Sequence, residues 1–309
     1  MQKGFLAEAH PAKQLLFTCL IIIAAWIVFQ LIGMFSGILV FGLTINDIAG
    51  SLESIGDPVF IAYLKYVQAF TSAGMFIVAA IVSAWYIDPE WKTLLALKNY
   101  PGWVISLLAV LFTFIILPFT NLLTYYNANV VFPEFLSGLE SFFRGKEEQM
   151  TEVMEAFLKP GGAGGLVFNI LVIAIIPAVG EELIFRGLIQ KLLTRWFANP
   201  HWAIIITAFF FSAIHFQFLS FVPRFFLGLV LGYLFYWSGS IWLTILVHFI
   251  NNAIATVFYF YYYGGTTGNF LEKAGTPESG IALAFIGGIA GFTLLFLIRR
   301  LSLKEKIIN

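Results

Sequence analysis

Pro177-Ala-Val-Gly-Glu-Glu-Leu-Ile-Phe-Arg186 places two carboxylates and a guanidinium inside a segment that otherwise reads as a membrane-spanning helix. A charge at mid-bilayer depth costs roughly 2.5–3.5 kcal/mol on insertion scales, so three on one helix demand partners and a reason. At 3.6 residues per turn, Glu182 and Arg186 lie four apart on one face, where they can pair. Glu181 points about 100° away from Glu182 and is left free. One neutralised acid beside one available acid is what a buried general base needs.

The rest of the chain supports a membrane setting for this segment. Of its 309 residues, 60% are hydrophobic and only 11% charged, and mean hydropathy is +0.90. Long apolar runs recur at 15–43, 59–87, 103–123, 165–190, 202–217, 221–238, 240–260 and 280–298. These predict an all-α polytopic membrane protein of about eight transmembrane helices. Pro118 and Asn121 interrupt the third run and predict a kink there. The organisation expected is N-terminal spans over 1–123, a surface loop with short amphipathic helices over 124–164, a core over 165–260, and a last span with a basic tail over 261–309.

Zero formal net charge gives no support for nucleic-acid binding. The single cysteine, Cys19, allows neither an internal disulfide framework nor a Cys-based zinc site, and reads as a packed small hydrophobe. Lys3 and Lys13 precede an apolar run too long for a signal peptide, which is expected to remain as the first span. Lys3, Lys13, Lys92, Lys98, Lys191, Arg195, Arg299, Arg300, Lys304 and Lys306 fall on one side of the eight-span arrangement. Arg144, Lys146, Lys159, Arg224 and Lys273 fall on the other, among acids such as Asp47, Glu53 and Asp57. The imbalance favours both termini in the cytoplasm, and in a bacterium the inner membrane. An even number of spans fits that orientation.

Within 124–164, Phe135, Leu136, Leu139, Phe142 and Phe143 share one helical face, and Met150, Val153, Met154, Phe157 and Leu158 another, which predicts two short helices lying on the outer surface. Pro160-Gly-Gly-Ala-Gly-Gly165 reads as a flexible connector. Lys65 is expected to snorkel to the outer interface, and Tyr259 to Tyr263 to form an aromatic belt. Gly33/Gly37, Gly228/Gly232 and Gly287/Gly291 are small-xxx-small pairs expected to serve packing within the chain.

Of the four histidines, His10 lies in the N-terminal tail and His201 at an interface, whereas His215 and His248 are embedded in apolar sequence. At 1.5 Å per residue, Glu181 sits roughly 15 Å above Lys191, His248 roughly 12 Å above Ser240 and His215 roughly 20 Å above Trp202. Three helices thus bring three groups to middle depth. Asn252, four residues after His248, shares its face, and Pro177 frees the carbonyl of Ile173 one turn before Glu181.

The ordered set Glu181-Glu182-x-x-x-Arg186, Phe211-x-x-x-His215 and His248-x-x-x-Asn252 resembles the motifs of the CAAX-protease and bacteriocin-processing family of intramembrane proteases, also called Abi or lysostaphin-resistance-protein-A-like. The resemblance covers about residues 165–260. It implies a catalytic bundle in the C-terminal half that hydrolyses a peptide bond of a membrane-associated peptide or protein. Glu181 would then be the general base, with His215 helping to bind or activate water. His248 and Asn252 would stabilise the oxyanion, and Glu182 with Arg186 would hold the site in shape. Glu181, His215 and His248 are also compatible with one zinc ion, so the cofactor is either none or zinc. Two other classes stand beside this reading: a non-catalytic scaffold or bacteriocin-immunity protein of the same fold, and a proton-coupled transporter. The clustering of ionisable residues in the second half disfavours the transporter.

Overall fold

The computed structural model describes residues 4–49, 57–159, 162–262 and 273–308. Glu53, Pro160, Gly161 and Tyr263 lie outside them. The described residues form helices joined by short turns and contain no strand.

Helix α1 (Pro11–Phe41) begins where the His10 ring accepts from the Ala12 N–H, and ends on Gly42, which takes a left-handed φ of 66°. Its outer surface is bare apolar side chain, such as Leu16, Leu20 and Ile27, while its buried stripe is Gln14, Thr18, Gly33 and Gly37. This inverts a soluble helix: in lipid, small and polar groups mark the packed face. Cys19 is exposed, not packed as expected, because that stripe takes the inward face. Helix α2 (Pro58–Ile87) is capped by Asp57, whose carboxylate accepts from the Val59 N–H. Gly33 and Gly37 lie against Val67 and Tyr63 of α2. Lys65 does not snorkel: its Nζ donates to Asn169 Oδ1 at 2.8 Å inside the protein, because an amide on a neighbouring helix offers a nearer partner than the interface.

Helices α3 (Trp103–Ile115) and α4 (Leu117–Ala128) form one apolar unit bent by 43° beside Pro118. The expected pair of short surface helices is a single one, α5 (Ser137–Leu158), because 144–149 carries no proline and its lone Gly145 costs only about 1 kcal/mol in the helix. Helix α6 (Gly162–Phe197) follows, and Gly162 to Gly165, read as connector, form its first turn. Helices α7 (Pro200–Ala213) and α8 (Phe221–Ser238) make a hairpin in which Gly228 and Gly232 let the backbones close on Ala208 and Ile204. Helix α9 (Ile241–Tyr262) and helix α10 (Ala282–Ile308) complete the set, with Gly287 and Gly291 seated against Ile115 and Ile116.

Six of these helices are long and apolar enough to cross a membrane, and α3 with α4 makes a seventh. The expected fifth span is α7, whose 14 residues rise about 21 Å, short of a hydrocarbon core of roughly 30 Å. It stops at Ala213, followed by a turn in which Phe216 adopts φ of 52°.

Besides a small cluster of Phe60, Tyr63 and Val67 packed against α1, two larger buried cores result. One joins α2, α6 and α7 through Ala80, Ala84, Ile184, Leu188 and Phe211. The other joins α3, α8, α9 and α10 through Phe112, Leu231, Val247 and Ile298. Helices α6 and α9 stand between them and carry the polar residues.

Candidate active site

Helix α6 is not uniform. Wider π-helical turns span Ile170–Ile175 and Leu183–Ile189, leaving Ile176–Glu182 as a short α-helical segment with Pro177 in its first turn. Proline lacks the N–H that an α-helix needs at that place, which loosens the ladder. Asn252 Nδ2 approaches the Ile173 carbonyl at 3.4 Å from α9, meeting the backbone group that Pro177 leaves. On the far side, a Cβ at Gly180 would lie 2.6 Å from Phe76 Cβ, so α2 crosses α6 closely beside the two acids.

Glu182 and Arg186 are fully buried and pair at 2.7 Å. The second Arg186 arm donates to the Gly228 carbonyl of α8 at 3.0 Å, and the guanidinium carbon stands 4.7 Å from the centre of the Phe211 ring. Across the bundle, His248 Nδ1 lies 2.9 Å from the same Glu182 Oε1, so this oxygen accepts from both Arg186 and His248. The bond assigns the imidazole proton to Nδ1 and presents Nε2 to Glu181 Oε2, 3.9 Å away. That Glu181 oxygen is buried and has no hydrogen-bond partner among the described residues. Buried carboxylate oxygens are normally satisfied, so this one marks unmet polar demand.

His215 sits two residues past the end of α7, in the turn, not within a span. Its Nδ1 lies 2.9 Å from the Phe211 carbonyl, which leaves Nε2 as the open nitrogen. Phe211 had no assigned role in the sequence beyond starting a motif. Its ring meets His215 and His248 edge to face, each at 5.6 Å, and also faces Arg186. Its spacing of four to His215 was the available signal, since a phenylalanine in a chain with 35 of them draws no notice.

Glu181 and His215 line one cavity of about 650 Å³ that opens among α1, α2, α6 and α7. Gln68 and Ser72 are its other polar groups; Phe76, Phe185, Phe210 and Phe216 make it an apolar slot. The six residues singled out are thus brought to one region, with Glu181 and His215 at the cavity and Glu182, Arg186, His248 and Asn252 behind it. Among the described residues no three of His, Cys, Asp and Glu are placed to share an ion, although the Nδ1 contacts of His215 and His248 leave each Nε2 free.

Outside the membrane segments, α5 is tied down along its first half. Arg144 pairs with Glu140 at 2.7 Å and donates to Val130 O, and the Phe143 ring packs on Phe218 at 4.1 Å. Arg144 and the Phe132 N–H hold the Glu140 carboxyl below the usual carboxylate range. Glu147 accepts from Ser220 Oγ at 2.5 Å, which lays α5 against the turn that carries His215.

Residues 163–254, which contain all six site residues, match the family described as Type II CAAX prenyl endopeptidase Rce1-like. Uncharacterized protein YpbD of Bacillus subtilis (strain 168) is 28% identical over 90 residues, 28% of this chain and 43% of that protein. The chain therefore matches less than half of that relative's length. No solved structure matches.

Proposed function

We propose, from the match of residues 163–254 to the Rce1-like CAAX endopeptidase family, that the chain is an intramembrane endopeptidase hydrolysing a peptide bond of a membrane-associated peptide or protein. The observation that carries this reading is Glu181 Oε2, buried, without a hydrogen-bond partner among the described residues, and set at the wall of a cavity shared with His215. A water held between that oxygen and His215 Nε2 loses its proton to Glu181 and attacks the scissile carbonyl. The developing oxyanion accepts from His248 Nε2, protonated for this purpose while Glu182 holds Nδ1. Asn252, one turn along α9, donates the amide hydrogen that Ile173 does not take. Glu181 then returns the proton to the leaving amine, and the carbon–nitrogen bond breaks.

The apolar slot suits a hydrophobic segment arriving from lipid. The loop-charge distribution supports both termini in the cytoplasm, a reading that requires α7 with its following turn to complete a crossing.

The test uses purified protein in lipid nanodiscs and a quenched fluorescent membrane peptide. Loss of a general base lowers turnover by about 10²–10⁴-fold, so Glu181→Gln should fall in that range. Equal turnover by wild type and Glu181→Ala overturns the reading. Activity should survive a strong chelator, and zinc add-back should not raise it.

A further inference from the structure

Roughly 15 Å along α6 from Glu181, toward its C-terminal end, lies a second polar region. Gln190, Lys191, Thr194 and Arg195 of α6, Tyr236 of α8 and Asn99 of the segment before α3 line a cavity of about 440 Å³. It shares no residue with the cavity that holds Glu181 and His215.

The charge here is of one sign. Lys191 and Arg195 stand four residues apart, so the two cations share a helix face and repel. No carboxylate lies within ion-pair distance of either among the described residues. Lys191 is half-buried; its Nζ donates to the Leu94 carbonyl and stands 5.3 Å from the centre of the Phe235 ring, and neither contact neutralises it. Arg195 makes no hydrogen bond among the described residues, with five donors to place. The neighbouring amides add acceptors. Gln190 is 4% exposed; its Nε2 donates to the Gly232 carbonyl at 3.0 Å, and its Oε1 has no hydrogen-bond partner among the described residues. Buried amide oxygens are normally satisfied. Asn99 Nδ2 donates to the Gly239 carbonyl at 3.1 Å, which leaves Oδ1 open at the rim. Two cations without an acid, beside two open acceptors, suit a ligand that carries an anion and hydroxyl groups together.

Aromatic side chains give the level of the cavity in the bilayer. Tyr100, next to Asn99, is 76% exposed and stacks on Trp242 with the ring planes 5° apart, and Trp196, next to Arg195, is exposed as well. Exposed Tyr and Trp gather where hydrocarbon meets headgroups. A basic pocket between helices at that level faces phospholipid phosphates.

We propose that this cavity binds the headgroup of an anionic phospholipid, phosphatidylglycerol, with Lys191 and Arg195 pairing the phosphodiester. Asn99 accepts from the glycerol hydroxyls, and Gln190 is reached through a bridging water. The bound lipid joins the end of α6 to α8 and to the segment before α3. The inference is independent of the hydrolytic reading above.

Native mass spectrometry of the delipidated full chain in a non-ionic detergent tests it, with dioleoyl phosphatidylglycerol or dioleoyl phosphatidylcholine titrated in and the Kd of the first bound lipid read out. Each cation beside an anionic headgroup is worth about fivefold in affinity, so wild type should hold phosphatidylglycerol at least about tenfold tighter than phosphatidylcholine. Arg195→Gln removes an exposed side chain with no hydrogen bond to lose, and should weaken phosphatidylglycerol about fivefold. Lys191→Gln/Arg195→Gln should bring the two lipids level. Arg299→Gln, a basic residue of α10 outside the cavity, should change the Kd by less than about twofold. Equal affinity of wild type for the two lipids, or a preference unchanged in Arg195→Gln, overturns the proposal. An Arg299→Gln loss as large as that of Arg195→Gln also overturns it, in favour of diffuse surface attraction. Displacement of the lipid by an equal concentration of glycerol phosphate overturns the lipid assignment in favour of a soluble phosphate ester.

Discussion

Deleting one member of the Glu182–Arg186 pair should be worse than deleting both. The two groups are fully buried at 2.7 Å, where their attraction at an effective dielectric near 20 is about 6 kcal/mol. Desolvation of two ions offsets most of that, so the pair adds little net stability. Removing one ion abolishes the attraction and leaves the other unpaired, at about 3–5 kcal/mol. Glu182→Met leaves Arg186 with only the Gly228 carbonyl and the Phe211 ring; Arg186→Met leaves Glu182 with only His248. The double variant Glu182→Met/Arg186→Met should be more stable than either single, with a coupling of roughly 2–3 kcal/mol. Unfolding in mixed micelles of rising dodecyl sulfate fraction, followed by fluorescence of the eight tryptophans, measures all four proteins. Single-variant losses that add to within about 0.5 kcal/mol refute the reasoning.

Three further outcomes follow from the same geometry. A Cβ at Gly228 would stand 3.0 Å from Ala208 Cα, so Gly228→Ala should push α7 from α8, cost about 1–3 kcal/mol and lower turnover by displacing the carbonyl that holds Arg186, whereas Gly138→Ala, with nothing within 4 Å, should leave melting and turnover unchanged or slightly raise stability. Phe143→Ala removes the ring packed on Phe218 and should speed limited proteolysis within Ser137–Leu158 without lowering the melting temperature of the bundle. Because Glu140 is held below the ordinary carboxylate value, its clip to Arg144 stabilises the start of α5 above that value and loses the contribution as pH falls through the depressed one; hydrogen-exchange protection factors over 130–146, corrected for the intrinsic pH dependence of exchange, should be constant from pH 7 to about 5 and fall below about 4.

What could be read from spacing was read correctly where a single helix sets the geometry. Glu182 and Arg186 pair because four residues make nearly one turn, and Pro118 bends the α3–α4 unit because a proline interrupts any helix ladder. Contacts between helices were less legible. His248 meets Glu182 across 66 residues, and which acid it touches depends on the rotation of α6, which its two π-helical stretches reset. Lys65 followed a general rule for cationic side chains in membranes, yet Asn169 on a neighbouring helix overrode it. Asn252 was expected beside His248 and is there, but its amide also mends the gap made by Pro177, a partnership visible only once α6 and α9 are side by side. The short α7 was hidden because apolar sequence continues to Phe216 while the helix stops at Ala213.

The intrahelical placement of the Arg186 pair also bears on how the protein is made. Its interhelical partners lie later in the chain: the Gly228 carbonyl 42 residues after Arg186, and His248 66 residues after Glu182. At synthesis rates of about 5–20 residues per second, α6 waits some 3–13 seconds for His248 to leave the ribosome. During that interval Glu182 and Arg186 can neutralise one another one turn apart, without help from any helix not yet translated. Glu181 has no such companion and enters the bilayer alone, so its protonation during insertion, before the bundle closes around it, sets the cost of building the site.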